Sequence, residues 1–354
     1  MKRTTKYVGL DVHQATTVIA VLDEQGRVIA RQVVATAADA LVDFVRGLRG
    51  TVRVVFEEGT QAQWLHDVLV PVVTEVVVCN RRGDGQLGHK GDHADAEQLA
   101  DRLRWGGLRP VYHGSPSRES LRELARTYQQ VLEDSTRTMQ RLKAVFRARG
   151  IRTPGQRVYH PTERETWVAQ LRQPGARLRA ETLYAELETL QAWRRRVRIA
   201  LLTEAKRDPA WRVLRTMPFL GPIRVALLLA TLQTPWRFRT KRQLWAYAGL
   251  AVVTRASAEY ELDDGRPRRR RRPPLTRGLN RNHHPLVKNV LKGAATAAAT
   301  RPGPLHEFYA HMVQGGMRAD LARVTLTRKL AAILLHLWKT GEPYDGRYLS
   351  RTPS

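Results

Sequence analysis

Four acidic residues in the first third of this 354-residue chain have types and spacings suited to metal chemistry. Asp11 ends an apolar run, and Glu57 follows the apolar residues 54–56. Asp92 and Asp95 are three residues apart, a spacing that places both carboxylates on one face at the start of a helix. Burying such charges is costly unless a cation pairs with them.

Carboxylate oxygens with open coordination positions favour Mg²⁺ or Mn²⁺ over zinc. Two such ions about 4 Å apart can activate one oxygen and stabilise the leaving oxygen of a phosphodiester. We therefore predict that Asp11, Glu57, Asp92 and Asp95 are metal ligands and catalytic residues. Taken singly, each acid is more typical of a helix cap or a solvated end, and Asp92 fits an N-cap. Competing acids stand nearby: Glu58, Glu97 and Asp101.

The elements that must position these residues follow from hydrophobic periodicity. Apolar alternation predicts strands, and apolar spacing of three and four predicts helices. The strands are 5–12, 17–22, 28–35, 51–57 and 72–79, and the helices are 37–48, 61–70 and 93–105. The order βββαβαβα is that of an RNase H-like (RuvC-like) α/β domain. A crossover after the meander returns the fourth strand parallel to the first, which brings Asp11 beside Glu57.

Beyond this domain the pattern is mainly helical. Long amphipathic helices are predicted at 117–149 and 176–206, forming either an antiparallel arm or dimerising coiled coil, or an ordinary solvated pair. The predicted domains are 1–115 (RuvC-like), 116–206 (coiled-coil or linker), 207–346 (mostly α, C-terminal) and 347–354 (polar tail).

The C-terminal region opens with an apolar turn containing Gly221 before a helix at 223–232. This turn fits a helix-hairpin-helix-like element that points backbone amides at a phosphate, or a plain helix-turn-helix core. The other predicted elements are a helix at 241–247, a β-like piece at 250–262, an arginine loop at 263–274, and helices at 285–300 and 320–340.

Charge divides the chain unevenly. Its 60 Lys and Arg against 33 Asp and Glu give a net charge of +27. Residues 1–112 hold 14 basic and 14 acidic side chains, whereas residues 113–354 hold 46 and 19. A neutral head joined to a cationic body suits cleavage of a bound polyphosphate, so nucleic acid is the predicted partner. An arginine-rich genome would produce the same preference for Arg over Lys.

The candidate nucleic-acid-binding residues lie in that cationic body. Residues 268–272 are five consecutive arginines, whose charges repel one another unless an anion neutralises them. The candidates are Arg194, Arg195, Arg196, Gly221, Arg255, Arg266, Arg268, Arg269, Arg270, Arg271, Arg272, Arg277 and Lys288.

Ser257 stands alone between Ser135 and Ser350. Neighbouring cations or metal ions can activate a serine hydroxyl for attack on phosphorus. Such attack would keep the bond energy in a phosphoserine ester and allow rejoining without ATP. The other interpretation is a strand hydroxyl with no chemical role.

Several protein classes are disfavoured. Cys79 is the one cysteine, which excludes an internal disulfide and a cysteine zinc cluster. No uncharged stretch approaches the roughly 18 apolar residues that span a bilayer. The basic start runs into a strand-like segment instead of a signal-peptide core. We therefore expect no membrane partner and a cytoplasmic, bacterial protein that associates with the nucleoid when active.

Seven short motifs stand in a fixed order along the chain. The first half contains residues 8–13 (VGLDVH), 57–59 (EEG) and 90–96 (KGDHADA). The second half contains residues 219–222 (FLGP), 243–250 (QLWAYAGL), 321–323 (LAR) and 328–331 (RKLA). In these motifs the chain resembles, over almost its whole length, the DEDD-type transposases of insertion sequences, the Piv-like and bridge-RNA-guided recombinases; the first set resembles their catalytic half and the second set their C-terminal half.

The resemblance implies a metal-binding tetrad of Asp11, Glu57, Asp92 and Asp95, and a nucleophilic Ser257 that becomes linked to DNA. It also implies a guide RNA, encoded beside the gene, that pairs with target and donor DNA. A homodimer would assemble into a tetramer on DNA, with one subunit's carboxylates meeting another's serine. The chain departs from the family pattern at His93 and Ala94, where basic residues are frequent, and at Ala258, where glycine is common.

Three other functions compete with this prediction. An ATP-dependent kinase or chaperone-like ATPase would need glycine where His13 stands, and has no use for the arginine loop. A resolvase-type nuclease would share the tetrad without the serine. A non-catalytic nucleic-acid-binding protein would not need four intact carboxylates.

Overall fold

The computed structural model describes residues 4–80, 91–114, 118–255, 260–263, 266–269 and 275–349. The chain forms two compact units, Met1–Pro116 and Ser117–Ser354. The sequence-based division of the second unit at residues 206 and 346 is finer than this and stays a prediction.

The first unit is a mixed α/β domain. Its strands are β1 Thr5–Val12, β2 Thr16–Leu22, β3 Val28–Ala35, β4 Thr51–Glu57 and β5 Glu75–Cys79. Its helices are α1 Ala38–Arg46, α2 Ala62–Leu69 and α3 Asp92–Trp105. The sheet order is β3-β2-β1-β4-β5, with β1 antiparallel to β2 and parallel to β4. This topology is consistent with the predicted RNase H-like domain.

Both faces of this sheet are covered. On one face, strand residues such as Leu10 and Phe56 pack with Leu41 of α1 and Leu65 of α2. On the other face, Val55 packs with Leu99 and Leu103 of α3. Because side chains alternate along a strand, residues two positions apart share a face. Gly9 and Asp11 therefore share the face of β1 that α3 covers.

The second unit begins with two long helices, α4 Glu119–Arg147 and α6 Pro174–Ala205, with the short α5 Arg164–Ala169 between them. Residues 142–146 of α4 cluster with residues 176–184 of α6. Residues 121–128 cluster with residues 197–205. The two helices are therefore antiparallel. Whether they act as a dimerising coiled coil stays a prediction.

The remaining helices of this unit are α7 Ala210–Leu214, α8 Pro222–Leu232, α9 Lys241–Tyr247, α10 Pro285–Thr300, α11 Pro304–Gln314 and α12 Ala319–Thr340. Seven of the eleven residues of α8 are buried, which places it at the centre of the core. The sequence pattern missed α11, a short helix with Leu305 as its buried residue. Among the described residues, no helix is both long and apolar enough to cross a membrane.

Two small antiparallel ribbons follow α9. Strand β6 Val252–Arg255 pairs with β9 Leu275–Leu279, and β7 Tyr260–Asp263 pairs with β8 Arg266–Arg269. Residues 266–269 were predicted as part of a loop, and that prediction is wrong. The backbone register aligns Glu261 with Arg268 and Asp263 with Arg266.

Candidate metal centre

The carboxylates meet because α3 lies against the backbone of β1. A Cβ atom built on Gly9 would lie 1.9 Å from the carbonyl oxygen of Ala96 and 2.8 Å from the amide nitrogen of Ala100. No side chain fits there, so glycine permits the close approach. Asp11 lies two residues further along the same face of β1, toward the N-terminal end of α3.

The first turn of α3 supplies the next two acids. The helix begins at Asp92, and its N-cap is Gly91. The interpretation of Asp92 as the N-cap is therefore wrong by one position. Asp92 is already the first helical residue, and the preceding Gly91, with an extended backbone, is the N-cap. Asp92 and Asp95 both lie in the first turn. The unpaired amides and dipole of a helix N-terminus favour negative charge at that position.

His13 joins two of these carboxylates. Its Nε2 atom lies 3.3 Å from Oδ2 of Asp11 and 3.5 Å from Oδ2 of Asp92. Candidate donor atoms of the three residues lie within 4.8 Å of one another. The backbone of His13 is fixed by its N–H bond to the carbonyl of Thr16 (3.0 Å) and by the hydroxyl of Thr36, which donates to the His13 carbonyl (2.9 Å).

The ionised carboxylate of Asp11 has an unfavourable electrostatic environment. Burial raises the pKa of the Asp11 carboxyl above its ordinary value. The charge and the hydrogen bond of His13 lower the pKa of Asp11 and so oppose this shift, whereas the charges of Asp95 and Asp92 raise it further. An acid held beside other acids in this way is a frequent feature of functional sites, since a bound cation relieves the repulsion.

Glu57 reaches the same place from the neighbouring strand. It is the last residue of β4, and the register Leu10 to Phe56 places it next to Asp11 in the sheet. Asp11, His13, Glu57 and Glu58 line one cavity of about 740 Å³ at these strand ends. Asp11 and Asp92 thus belong to the donor group, Glu57 shares the cavity with Asp11, and Asp95 acts on Asp11 through its charge.

The competing acids have other partners. Glu97 forms an ion pair with Arg31, and Asp101 forms one with Arg104 at 2.7 Å. Glu58 contacts Nε2 of His113 at 3.1 Å. These contacts leave Asp11 and Asp92 as the carboxylates whose donor atoms group with His13.

Sequence reasoning missed His13 and Gly9. The signal for Gly9 was available, because a glycine inside a strand often marks a close backbone approach. His13 follows Asp11 by two residues, outside the strand, where periodicity says nothing about side-chain direction. The donor set is consequently not purely oxygen: two carboxylates and an imidazole fit Mn²⁺ or Mg²⁺, with the imidazole adding preference for the transition metal.

The predicted nucleic-acid-binding residues lie in the second unit. Arg194, Arg195 and Arg196 are exposed on α6, and the guanidinium of Arg196 lies 5.1 Å from the ring centroid of Trp193. Lys288 is half-buried on α10. Arg255 ends β6, Arg266, Arg268 and Arg269 lie in β8, and Arg277 lies in β9. Ser257 and Arg270, Arg271 and Arg272 fall outside the described residues.

Gly221 caps the N-terminus of α8. An added Cβ atom would meet nothing within 4 Å, so the position does not require glycine for packing. The guanidinium of Arg224 donates to the carbonyl of Phe219, and that of Arg215 donates to the carbonyl of Leu220, each at 2.8 Å. The turn before α8 is therefore rich in positive charge, as a phosphate contact would need.

Two family models match successive stretches of the chain. Residues 8–148 match a model of DEDD-type IS110 transposases. Residues 211–280 match a model described as the transposase IS116/IS110/IS902 family. Together with the α/β domain and its carboxylate centre, these matches define a DNA-processing enzyme of the transposase class.

The chain belongs to the DEDD-type insertion-sequence transposases, and the resemblance noted in the sequence is confirmed. The family implies DNA as a partner. No curated protein matches the chain.

Proposed function

We propose that this transposase cuts and rejoins DNA strands at a metal centre formed by Asp11, Glu57, Asp92 and Asp95, within an RNase H-like domain. The observation that carries the proposal is the convergence of Asp11 and Asp92 on His13 at the end of β1, beside Glu57. Three separate stretches of sequence supply these groups, the end of β1, the end of β4 and the first turn of α3.

Each residue of the centre has a defined task in this proposal. Asp11 and Asp92 would hold the cation, and His13, which contacts both, would add a nitrogen ligand or orient their carboxylates. A bound Mg²⁺ or Mn²⁺ would neutralise charge on a scissile phosphate and on the leaving oxygen. The cavity of about 740 Å³ gives a phosphate room beside Glu57.

We assign the nucleophile to Ser257. Its Oγ would attack the phosphorus of one strand, so that an Oγ–P bond forms and a P–O bond of the strand breaks. The proton lost by the serine hydroxyl would end on the leaving deoxyribose oxygen, which departs as a free hydroxyl. The phosphoserine ester conserves the bond for rejoining. The family resemblance and the absence of another serine between Ser135 and Ser350 support the assignment.

The cationic body would hold the nucleic acids. Its 46 basic residues against 19 acidic ones, and the exposed arginines of α6, fit a polyphosphate partner. We propose target and donor DNA with an element-encoded guide RNA, bound by a homodimer that assembles into a tetramer so that one subunit's carboxylates meet another's Ser257.

Trapping a covalent protein–DNA adduct tests the recombinase chemistry. Wild-type protein incubated with DNA ends of its element and Mn²⁺ should give a denaturant-resistant adduct that Ser257→Ala abolishes. Ser135→Ala is the matched control, because the Ser135 hydroxyl donates to the carbonyl of Val131 inside α4. Cleavage without any adduct would identify a hydrolytic nuclease and refute the serine step.

Recovery of bound RNA tests the guide. The protein is purified from cells that also carry the DNA flanking its gene, and the RNA retained with it is sequenced. One discrete RNA from the non-coding end of the element is the expected result. Heterogeneous cellular RNA, or none, would contradict RNA guidance and leave direct reading of DNA by the protein.

A further inference from the structure

A second polar network lies next to the metal centre and involves none of the four predicted ligands. His113 is at its middle, with a side chain that is only 5% exposed. Its Nε2 atom lies 3.1 Å from Oε2 of Glu58, and its Nδ1 atom lies 3.2 Å from Oε1 of Gln63. Both partners are acceptor oxygens, so each contact is a hydrogen bond where the ring nitrogen carries a proton, and turning the ring would break both contacts.

The orientation of Gln63 is fixed by its other contacts. Its amide nitrogen donates to Oδ1 of Asp67 at 3.0 Å and to the carbonyl of Gly114 at 3.5 Å. The ring of His66 stacks on His113 with centroids 5.3 Å apart and planes 25° apart. The network therefore holds His113 by two hydrogen bonds and one ring face.

The backbone that carries His113 is attached to the same sheet. The amide of Val111 donates to the carbonyl of Val78 at 2.7 Å, and Pro110 forms an antiparallel bridge with Cys79. This segment lies beside β5, whose partner β4 ends at Glu57. His113 is thus built into the sheet edge and does not belong to a free surface loop.

Strand alternation directs Glu57 and Glu58 toward opposite faces of that sheet, and both border the cavity at the strand ends. Val55 packs on α3 and Phe56 packs toward α1 and α2, so alternation places Glu57 on the α3 side and Glu58 on the α2 side. The amide of Glu58 donates to the carbonyl of Cys79 at 2.9 Å, which extends the pairing by one residue. The contact with His113 fixes the Glu58 side chain as well.

We propose that His113 is a positioning residue for the metal centre: by holding the Glu58 carboxylate on the α2 side of the cavity that both glutamates line, it fixes the end of β4 and keeps Glu57 directed at Asp11. This inference rests on the proposed metal centre. Groups that orient ligands from outside the coordination shell typically change metal affinity by 10–100-fold when removed.

Calorimetric titration of Mn²⁺ into the metal-stripped full-length protein tests the proposal, with heat unfolding recorded for each variant. His113→Phe keeps the ring that stacks on His66 but removes both hydrogen bonds, and should weaken binding by about 10-fold. Glu58→Ala should weaken it equally. Glu58→Gln should bind like the wild type, because its amide oxygen still accepts the bond from His113.

A double-mutant cycle separates positioning through Glu58 from a merely structural role. The variant combining His113→Phe with Glu58→Ala should bind Mn²⁺ no more weakly than either single variant, because both remove the same contact. His66→Phe is the matched control and should bind Mn²⁺ normally. It removes the contact of His66 with Asp67 but keeps an aromatic ring stacked on His113.

The outcomes distinguish the two claims. Binding that is lost in Asp11→Asn but unchanged in His113→Phe would refute the positioning role alone, and so would additive losses in the double variant. If Glu58→Ala abolishes binding while His113→Phe does not weaken it, Glu58 is itself a ligand and the proposal is wrong. Absence of Mn²⁺ binding by the wild type would refute the metal centre and the positioning role together.

Discussion

The two units of the molecule use charge in different ways. In the first unit, basic and acidic residues balance, and several acids outside the centre form ion pairs: Glu97 with Arg31, Asp101 with Arg104, and Glu75 with Arg53. In the second unit the basic residues are in large excess, and arginines such as those of α6 are exposed. The carboxylates of the proposed centre are thus grouped at one cavity, whereas the excess of basic side chains is distributed along the second unit.

This difference separates two kinds of recognition. A small divalent cation responds to a local group of donors at fixed distances, so single substitutions in the first unit should act strongly and specifically. A polyphosphate responds to the sum of many contacts, so substitutions in the second unit should act gradually and depend on salt. We therefore expect a substitution in one unit to leave the binding assigned to the other unit unchanged.

The largest effect is expected from Gly9→Ala. The added methyl carbon would lie 1.9 Å from a backbone oxygen of α3, which only a shift of the helix can relieve. The cost should exceed the ~1–3 kcal/mol typical of overpacking, and metal binding should be lost with it. Heat unfolding and Mn²⁺ titration measure both effects.

Gly91→Ala is the control, because an added Cβ at Gly91 meets nothing within 4 Å and its backbone is extended. Its stability should be close to that of the wild type. A Gly9→Ala protein with normal stability and normal metal binding would show that the contact between α3 and β1 does not position the centre.

Replacing Arg268 to Arg272 by glutamine should weaken nucleic-acid binding without changing metal affinity. Each lost phosphate contact reduces the slope of log affinity against log salt by roughly 1. Affinity is measured at several salt concentrations. Arg46→Gln with Arg49→Gln, two exposed positions in the neutral unit, is the control. An unchanged slope would mean that the arginine run does not contact phosphate.

Asp11→Asn should stabilise the metal-free protein. Burial and neighbouring acids raise the pKa of Asp11, so its ionised form favours the unfolded state, and stability falls as pH rises above the ordinary aspartate pKa of 3.8. The variant should lack this decline and, without metal, should melt at a higher temperature than the wild type at neutral pH.

Added Mn²⁺ should reverse the order, raising the melting temperature of the wild type but not of Asp11→Asn, because only a folded site that binds the ion gains stability. Asp39→Asn, at an exposed position of α1, should behave like the wild type in both conditions. A wild-type protein that melts at the same temperature with and without Mn²⁺ would contradict the assignment.

The smallest effect is expected in the helical arm at Tyr184. Its buried hydroxyl donates to the carbonyl of Val158 at 2.8 Å, and burial raises its pKa to about 12. A raised tyrosine pKa stabilises the folded state below pH 10, and that contribution is lost as pH rises from 10 to 12.

Tyr184→Phe should cost about 0.5–1.5 kcal/mol at pH 7 and reduce the loss of stability at alkaline pH. Unfolding by denaturant at pH 7 and pH 11 measures it. Metal affinity should not change, and a change would show that the arm influences the centre.

The sequence predicted the five strands and three helices of the first unit within three residues at each end, because one side of each element is strongly apolar. It also predicted that Asp11 and Glu57 lie side by side, and the two residues line the same cavity, whereas their role as metal ligands stays a prediction. It missed Gly9, His13 and His113, whose roles depend on which backbones and side chains approach from elsewhere in the chain. Local patterns carry no information about such distances.

Predictions for the second unit were less complete. The long helices were found, but α11 was missed; it spans only eleven residues, of which Leu305 is the buried one. Strand β8 was predicted as part of a loop because a run of arginines with Pro267 is not typical of a strand, whereas the backbone of β8 pairs with that of β7.

Metal-dependent cleavage by Asp11→Asn tests the central claim most directly. Wild-type protein and the variant are incubated with labelled DNA ends of the element and Mn²⁺, and cleavage and DNA affinity are measured on the same preparations. The variant should bind the DNA like the wild type and cut at a rate at least about 100-fold lower, which corresponds to about 2.7 kcal/mol. Cleavage at the wild-type rate by Asp11→Asn would contradict the account.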